Sequence, residues 1–74
     1  MIEVGGHTDS DGSDQDNQTL SDNRATSVRN ALVAQGINST MLKTKGYGEK
    51  QPKDTNDTKD GKFRNRRIEY TKAN

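Results

Sequence analysis

The most informative part of the sequence is residues 6–25, which read GHTDSDGSDQDNQTLSDNRA. A predicted strand ends within this stretch at about residue 8, a run of turn-forming residues follows, and a helical pattern begins directly afterwards. Asp9 lies at the predicted strand exit, and Arg24 lies about two turns into the predicted helix. Because long helical side chains lean toward the N-terminus of their helix, Arg24 can reach back toward Asp9. The stretch therefore predicts an anion and a cation that face a common crevice.

Two interpretations of this pair follow from the residues. The first is a plain structural ion pair between Asp9 and Arg24. The second is a binding site for a zwitterion, because a guanidinium donates to a carboxylate through a planar fork of N–H groups, and a carboxylate accepts from an ammonium group. An amino-acid head group carries both charges and would satisfy both side chains.

The composition limits the chain to one small domain. The chain has 74 residues, of which 24% are hydrophobic, and it contains neither cysteine nor tryptophan. A core of this size supplies only about 3–5 kcal/mol of stability. Such a composition is close to that of disordered chains, so disorder is the alternative that the motifs must oppose. Without cysteine, the sequence excludes disulfides and thiol chemistry, and no apolar run is long enough to span a membrane.

The charges are balanced in number but uneven in position. Twelve basic and eleven acidic side chains leave a net charge of +1, which predicts neither nucleic-acid binding nor membrane contact. Acidic residues dominate residues 1–24, and basic residues dominate residues 59–72. Folding is expected to bring these two oppositely charged segments together.

The first half of the chain predicts a strand and a long helix. Alternation of Ile2 and Val4 with a charged residue, before two glycines, is typical of a strand at about residues 1–8. Apolar residues then recur at steps of three and four over residues 17–35, which predicts an amphipathic helix. The apolar positions of this helix are Leu20, Ala25, Val28, Ala31 and Leu32.

Capping residues bound the predicted helix at both ends. Asp14 or Asp16 is expected to cap its start, because a side-chain oxygen there accepts hydrogen bonds from unpaired backbone N–H groups. Gly36 fits a left-handed position just past its end, with Ile37 folding back on the last turn.

The second half predicts two more strands separated by a loop. Residues 41–47 alternate as a half-buried strand, and residues 48–61 contain no apolar side chain, which predicts a surface loop. Residues 62–67 allow one helical turn, and residues 68–70 form a last short strand. The predicted order is β, α, β, loop, β in an α+β fold.

Patterns for metal binding and catalysis fail on inspection. The acidic run DSDGSDQD suits calcium, but the register of an EF-hand would place Asp14 where glycine is required and Leu20 where glutamate is required. His7 is the only histidine, so no histidine pair can bind a metal. Ser21, His7 and Asp9 lack the nucleophile elbow of a hydrolase. The sequence predicts no metal, no cofactor and no enzyme.

The basic cluster at residues 62–67 suits a nucleic-acid surface in charge alone. Phe63 is its only aromatic residue, so a stacking platform for bases is missing. The GYGE sequence at residues 46–49 lacks the lysine and the following helix of a phosphate-binding loop. Neither pattern predicts a nucleic-acid or nucleotide partner.

Four motifs in order resemble the OmpA-like peptidoglycan-binding domain. They are GHTD at residues 6–9, NxxLSxxRA at 17–25, GYGExxP at 46–52 and NRRxE at 65–69. The resemblance covers almost the whole chain and implies a mixed β-sheet backed by helices. In the family one further strand and helix precede the position of Met1, so residues 1–74 are expected to be a single OmpA-like domain that is truncated at its N-terminus.

The resemblance also implies a ligand and a set of site residues. In the family, the residues equivalent to Asp9 and Arg24 bind the amine and the carboxylate at the end of the diaminopimelate side chain of peptidoglycan. Thr8, Asn17 and Arg66 line the same pocket by this resemblance.

The function that follows is non-covalent and non-enzymatic. The domain is expected to bind peptidoglycan and so to anchor an envelope protein to the cell wall in the periplasm. The alternative is a structural fragment that self-associates and has no working ligand pocket. An exposed strand edge and an uncovered apolar face would favour homo-oligomers in that case.

Overall fold

The computed structural model describes residues 1–73, which form a three-stranded mixed sheet with helices. The elements in chain order are strand β1 (Ile2–His7), helix α1 (Asp14–Ala34), a 3₁₀ turn (Ser39–Met41), strand β2 (Leu42–Gly48), helix α2 (Lys59–Asn65) and strand β3 (Arg67–Lys72). The sheet order is β2-β1-β3, with β1 parallel to β2 and antiparallel to β3. The predicted α+β fold with a mixed sheet is therefore confirmed.

Helix α1 packs on β1 and β2 through a small core. Val4, Ala25 and Leu42 are its buried hydrophobic residues, and four partly buried residues pack around them: Val28, Leu32, Val33 and Ile68. Toward its N-terminus the helix buries Asn17 and Ser21 instead of apolar residues. The core therefore lies under the second half of α1, and the first half meets the sheet through polar groups.

The predicted apolar face of α1 is wrong at two positions. Leu20 is 41% exposed, and Ala31 is also exposed. The exposure of Leu20 follows from how closely α1 approaches the sheet. A Cβ atom added at Gly6 would overlap the carbonyl oxygen of Ser21, and one at Gly46 would overlap Asp22. Helix and strand backbones approach so closely here that a small side chain, and not Leu20, must face the sheet.

The start of α1 differs from the prediction, and its end agrees with it. The N-cap is Ser13, whose Oγ accepts from the N–H of Asp16 at 3.1 Å, so neither Asp14 nor Asp16 is the cap. Both aspartates lie in the first turn, where they interact favourably with the helix dipole. Past the other end, Gly36 has a φ of 103°, and the N–H of Ile37 donates to the carbonyl of Leu32 at 3.2 Å, which confirms the predicted cap.

The predicted loop at residues 48–61 contains the start of a second helix. Helix α2 begins at Lys59 and ends at Asn65, whereas the sequence indicated one turn at residues 62–67. Thr58 caps it by accepting from the N–H of Gly61 at 3.0 Å. Because α2 has only two turns and buries no large apolar side chain, its period leaves no clear signal in the sequence.

We expect substitution of Gly6 by alanine to destabilise the fold severely. Its added Cβ would meet the backbone of Ser21, which cannot move without shifting α1 off the sheet. The matched control is Gly5→Ala on the opposite face of the same strand, where the Cβ would meet a side-chain atom, the ring edge of Tyr47 at 3.0 Å, and not backbone. Urea unfolding should show a loss of about 3 kcal/mol for Gly6→Ala and about 1 kcal/mol for Gly5→Ala. Equal losses would contradict a backbone contact at Gly6.

Candidate ligand-binding site

Asp9 lies two residues past the end of β1 and is almost completely buried. Its Oδ1 accepts from the backbone N–H of Asp11 at 2.9 Å, and its Oδ2 accepts from Nη1 of Arg66 at 2.5 Å. Burial raises the pKa of Asp9, but these two hydrogen bonds, together with the positive charges of Arg66 and Lys62, outweigh it, so the net pKa lies below its ordinary value. The carboxylate is therefore charged and held in a fixed direction at neutral pH.

Asn17 and Thr8 support the loop that carries Asp9. The side-chain amide of Asn17 donates to the carbonyls of Asp9 and Asp11 at 3.2 and 3.0 Å, and to Oε1 of Glu49 at 3.0 Å. Oγ1 of Thr8 donates to the carbonyl of Asp9 at 3.0 Å. Both residues are buried, and Nδ2 of Asn17 and Oγ1 of Thr8 donate to groups of the protein itself. This geometry fits them as supports of Asp9.

A cavity of about 310 Å³ lies between α1, α2 and β3. The residues that line it are Arg24, Phe63, Arg66, Arg67 and Ile68. Three of these are cations, but Arg67 pairs with Glu69 and Arg66 pairs with Asp9. Within residues 1–73, no hydrogen bond or ion pair engages the guanidinium of Arg24. Arg24 is therefore the cation of this cavity whose donors are available to a ligand.

The predicted site residues are thus brought to one region, but in a different arrangement. The cation that pairs with Asp9 is Arg66 and not Arg24, so the simple ion pair between Asp9 and Arg24 is not formed. Arg66 connects Asp9 with Arg24, because it donates a hydrogen bond to Asp9 and lines the same cavity as Arg24. Thr8, Asp9 and Asn17 do not line this cavity, and Asp9 is connected to it through Arg66.

Opposite charges from the two ends of the chain meet here. Nζ of Lys62 lies 3.1 Å from Oδ1 of Asp11, next to the pair of Arg66 with Asp9. The expectation that the acidic first third and the basic last segment come together is confirmed. The N-terminal loop therefore depends on the C-terminal segment for its charge balance.

Asn65 is a structural residue of the site that sequence reasoning missed. It is fully buried, and its Oδ1 accepts from the N–H groups of Lys53 and Asp54 at 2.8 and 2.9 Å. Its Nδ2 donates to Oδ1 of Asn56, which also accepts from the N–H of Ser10 at 3.3 Å. Asn65 thus ties the long loop before α2 to the loop after β1. The motif itself gave no hint of this connection, since the partners of Asn65 lie outside it on an irregular loop.

Other reactive side chains have structural partners. The hydroxyl of Ser21 donates to the carbonyl of Gln18 and accepts from the N–H of Gly48, both at 2.9 Å. The ring of His7 stacks on Tyr47 with centroids 4.9 Å apart, and Tyr47 donates to Glu3. Burial, together with the charge of Arg67, lowers the pKa of His7.

Residues 1–73 show neither a metal-binding cluster nor a membrane-spanning helix. No group of three or more His, Asp or Glu side chains in residues 1–73 is placed to hold a metal ion. Neither helix in this range has a stretch that is both long and apolar enough to cross a membrane. The candidate site is the cavity lined by Arg24 and Arg66, with Asp9 behind Arg66.

The fold and the ordered motifs define an OmpA-like domain. The chain belongs to the OmpA family, whose model matches residues 1–66. The resemblance found in the sequence is thereby confirmed.

Individual relatives agree with this assignment. The chain is 46% identical over 68 residues to outer membrane porin F of Pseudomonas fluorescens and 38% identical over 68 residues to the peptidoglycan-binding protein ArfA of Mycobacterium bovis. Each alignment covers 92% of this chain and 21% of the relative. The crystal structure of the peptidoglycan-associated lipoprotein from Burkholderia pseudomallei superposes with a TM-score of 0.89 at 28% identity, over 95% of this chain and 61% of that one. The chain thus spans about a fifth of the length of these curated relatives.

We expect Arg66→Gln to raise the pKa of Asp9, because the carboxylate loses a charged hydrogen-bond donor while it stays buried. In the parent, the lowered pKa means that Asp9 stabilises the fold fully above its unfolded pKa of about 3.9, and that this stabilisation is lost as pH falls through the folded pKa. Carbon NMR of the side-chain carboxyl measures the shift directly. Arg64→Gln is the matched control, since Arg64 pairs with Asp54 at 2.8 Å. An unchanged Asp9 pKa in Arg66→Gln would contradict the pair.

Proposed function

We propose that this domain binds peptidoglycan non-covalently through the diaminopimelate of the stem peptide. The observation that carries the proposal is Arg24, a cation without a partner in residues 1–73 that lines the cavity bordered by Arg66, the partner of Asp9. One carboxylate and two guanidinium groups so arranged match a head group with one amine and one carboxylate. The names of two relatives, which state peptidoglycan binding or association, support the choice of polymer.

The cavity and the neighbouring carboxylate of Asp9, which Arg66 connects to it, together match each part of such a ligand. Arg24 donates to the ligand carboxylate, and Asp9 accepts from its ammonium group. Phe63 and Ile68 supply apolar contacts for the methylene chain that joins the head group to the stem peptide. Thr8 and Asn17 act by fixing the loop that holds Asp9. These residues bind the ligand or support those that do, and the proposal includes no chemical step.

At the level of the whole protein, the domain would serve as a non-enzymatic anchor. A relative that is named as an outer membrane porin carries this domain in about a fifth of its length. We propose that the present domain likewise holds a cell-envelope protein to the peptidoglycan from the periplasmic side. No cofactor takes part, because charge and hydrogen bonds suffice for such binding.

We expect Arg24→Gln to weaken binding to a diaminopimelate stem peptide by about tenfold or more, as the loss of a charge-assisted hydrogen bond implies. Isothermal titration calorimetry measures the affinity, and far-UV circular dichroism checks the fold. The matched control is Arg29→Gln on the same helix, since Arg29 does not line the cavity. If Arg24→Gln binds as tightly as the parent, the assignment of this cavity is wrong.

The ligand can be varied in the same titration. A lysine-type stem peptide has the side-chain amine but lacks the neighbouring carboxylate, so it leaves the donors of Arg24 unpaired. We expect it to bind more weakly than the diaminopimelate peptide. Equal affinity for the two peptides would mean that the glycan or the overall charge is recognised instead.

A second candidate role is self-association, and one surface favours it. Met1, Ile2 and Tyr70 are large hydrophobic residues with exposed fractions of 49%, 43% and 59%. Together with Thr71 and Lys72 they line a second cavity of about 400 Å³. β3 is moreover an edge strand of the described sheet, with backbone groups available for pairing. A second copy of the chain could cover both the edge and the apolar patch.

If this surface mediates association, sedimentation velocity at high protein concentration should show a dimer, and the thermal midpoint should rise with concentration. Tyr70→Lys should then give a monomer, because a lysine would be buried without a partner in the interface. Leu20→Lys is the matched control, since Leu20 is exposed on α1, away from this patch. A monomer at all concentrations, with a constant midpoint, would contradict this role.

A further inference from the structure

The carboxylate that is proposed to bind an ammonium group already has a cationic partner. Arg66 donates to Oδ2 of Asp9 at 2.5 Å, and Oδ1 is occupied by the N–H of Asp11 at 2.9 Å. The side chain of Asp9 is only 8% exposed, so little of it is left for a third donor. Each oxygen could accept a further hydrogen bond, but Arg66 and the loop cover the carboxylate, so we infer that a ligand amine reaches Asp9 by displacing a partner. The backbone N–H of Asp11 is the less movable of the two partners.

The guanidinium of Arg66 has an alternative position, in the cavity next to Arg24. Its side chain is 39% exposed, and it lines the cavity next to Arg24. Its guanidinium carbon lies 5.9 Å from the centroid of the Phe63 ring, at a distance typical of a cation–π contact. Within residues 1–73 its side-chain hydrogen bond goes to Asp9 alone. A modest rotation about the side-chain bonds would turn the donors of Arg66 from Asp9 into the cavity.

We propose that Arg66 is a specificity-determining residue that makes the site selective for ligands with both an amine and a carboxylate, by an exchange of ion-pair partners. Without ligand, Arg66 pairs with Asp9. With ligand, the ammonium group pairs with Asp9, and Arg66 joins Arg24 on the ligand carboxylate. This inference rests on the proposed function, and it adds that Arg66 competes with the ligand ammonium group for Asp9.

The exchange treats three classes of ligand differently. A zwitterionic head group replaces the pair of Arg66 with Asp9 by two new pairs, so every charge keeps a partner. An amine alone displaces Arg66 and leaves its guanidinium without an anion. A carboxylate alone binds to Arg24 while Arg66 stays on Asp9. The resident pair therefore acts against the amine-only class, which an isolated carboxylate at this position would accept.

The test is a calorimetric comparison of the parent with Arg66→Gln on two probes. The zwitterionic probe is the tripeptide L-Ala-D-Glu-meso-diaminopimelate. The amine-only probe is the corresponding lysine tripeptide, named for its side-chain head group, which lacks the carboxylate beside the terminal amine and is otherwise matched. For Arg66→Gln we expect the zwitterionic probe to bind more weakly and the amine-only probe to bind more tightly, each by on the order of tenfold. A residue that merely supports the fold would change both affinities in the same direction.

Two further variants control for charge and for folding. Lys62→Gln removes a positive charge near the same loop without removing a donor to Asp9, and it should change neither affinity by more than about twofold. Arg66→Lys keeps the charge but loses the planar fork, so it should lie between the parent and Arg66→Gln for both probes. This variant keeps the test decisive if Arg66→Gln does not fold.

The outcomes separate this inference from the proposed function. If Arg24→Gln weakens the zwitterionic probe and Arg66→Gln weakens both probes, the cavity binds the head group but the exchange is wrong. The exchange is also wrong if Lys62→Gln reproduces the opposite changes, because bulk charge would then explain them. If the parent binds neither probe, the proposed function fails, and the exchange fails with it.

Discussion

The close approach of α1 to the sheet is the constraint on which the site depends. Because Gly6 and Gly46 have no Cβ atom, the strands approach the backbone of α1 closely at Ser21. The hydroxyl of Ser21 also accepts from the backbone N–H of Gly48. One turn before Ser21, Asn17 reaches the loop after β1, and almost one turn after it, Arg24 enters the cavity. Both positions follow from a single contact of helix on strand. Moving the helix outward by the width of a methyl group would displace both.

This contact also explains why the core is so small. Apolar packing is confined to the second half of α1, around Val4, Ala25 and Leu42. The first half buries Asn17 and Ser21, whose hydrogen bonds must all be satisfied because they are shielded from water. The domain thus uses polar contacts where a larger protein would use hydrophobic ones, and these contacts have defined directions. A site that must hold a charged group in one orientation benefits from such a frame.

Much of this architecture could be predicted from the sequence, for physical reasons that differ by element. Strand β1, helix α1 and the cap at Gly36 were predictable because alternation, helical period and a left-handed glycine are local signals. The exposure of Leu20 was not predictable, because it depends on two glycines that lie in β1 and β2, far from it in the sequence. Helix α2 was too short for its period to stand out.

The candidate site shows the same division between local and long-range information. Asp9, Arg24 and Arg66 were all singled out by motif, and the structure brings them to one region. Which cation pairs with Asp9 could not be predicted, because both arginines have the same charge and reach. The choice is made by where β3 begins after α2, which fixes Arg66 beside the strand exit. The role of Asn65 was hidden for a related reason, since the atoms that it binds lie on an irregular loop.

The central position of β1 has a consequence for the order in which the molecule is made. Among residues 1–73, β1 is the first strand and β3 the last, and the two pair with Ile2 opposite Lys72. The pair of Asp9 with Arg66 likewise joins residues that are 57 positions apart. Such distant contacts are the slow ones in folding, and a ribosome releases the N-terminal half long before β3 exists. Until residues 66–72 emerge, the nascent chain has helix α1 and the two strands of the parallel pair β1–β2, but it lacks both β3 and the cationic partner of Asp9.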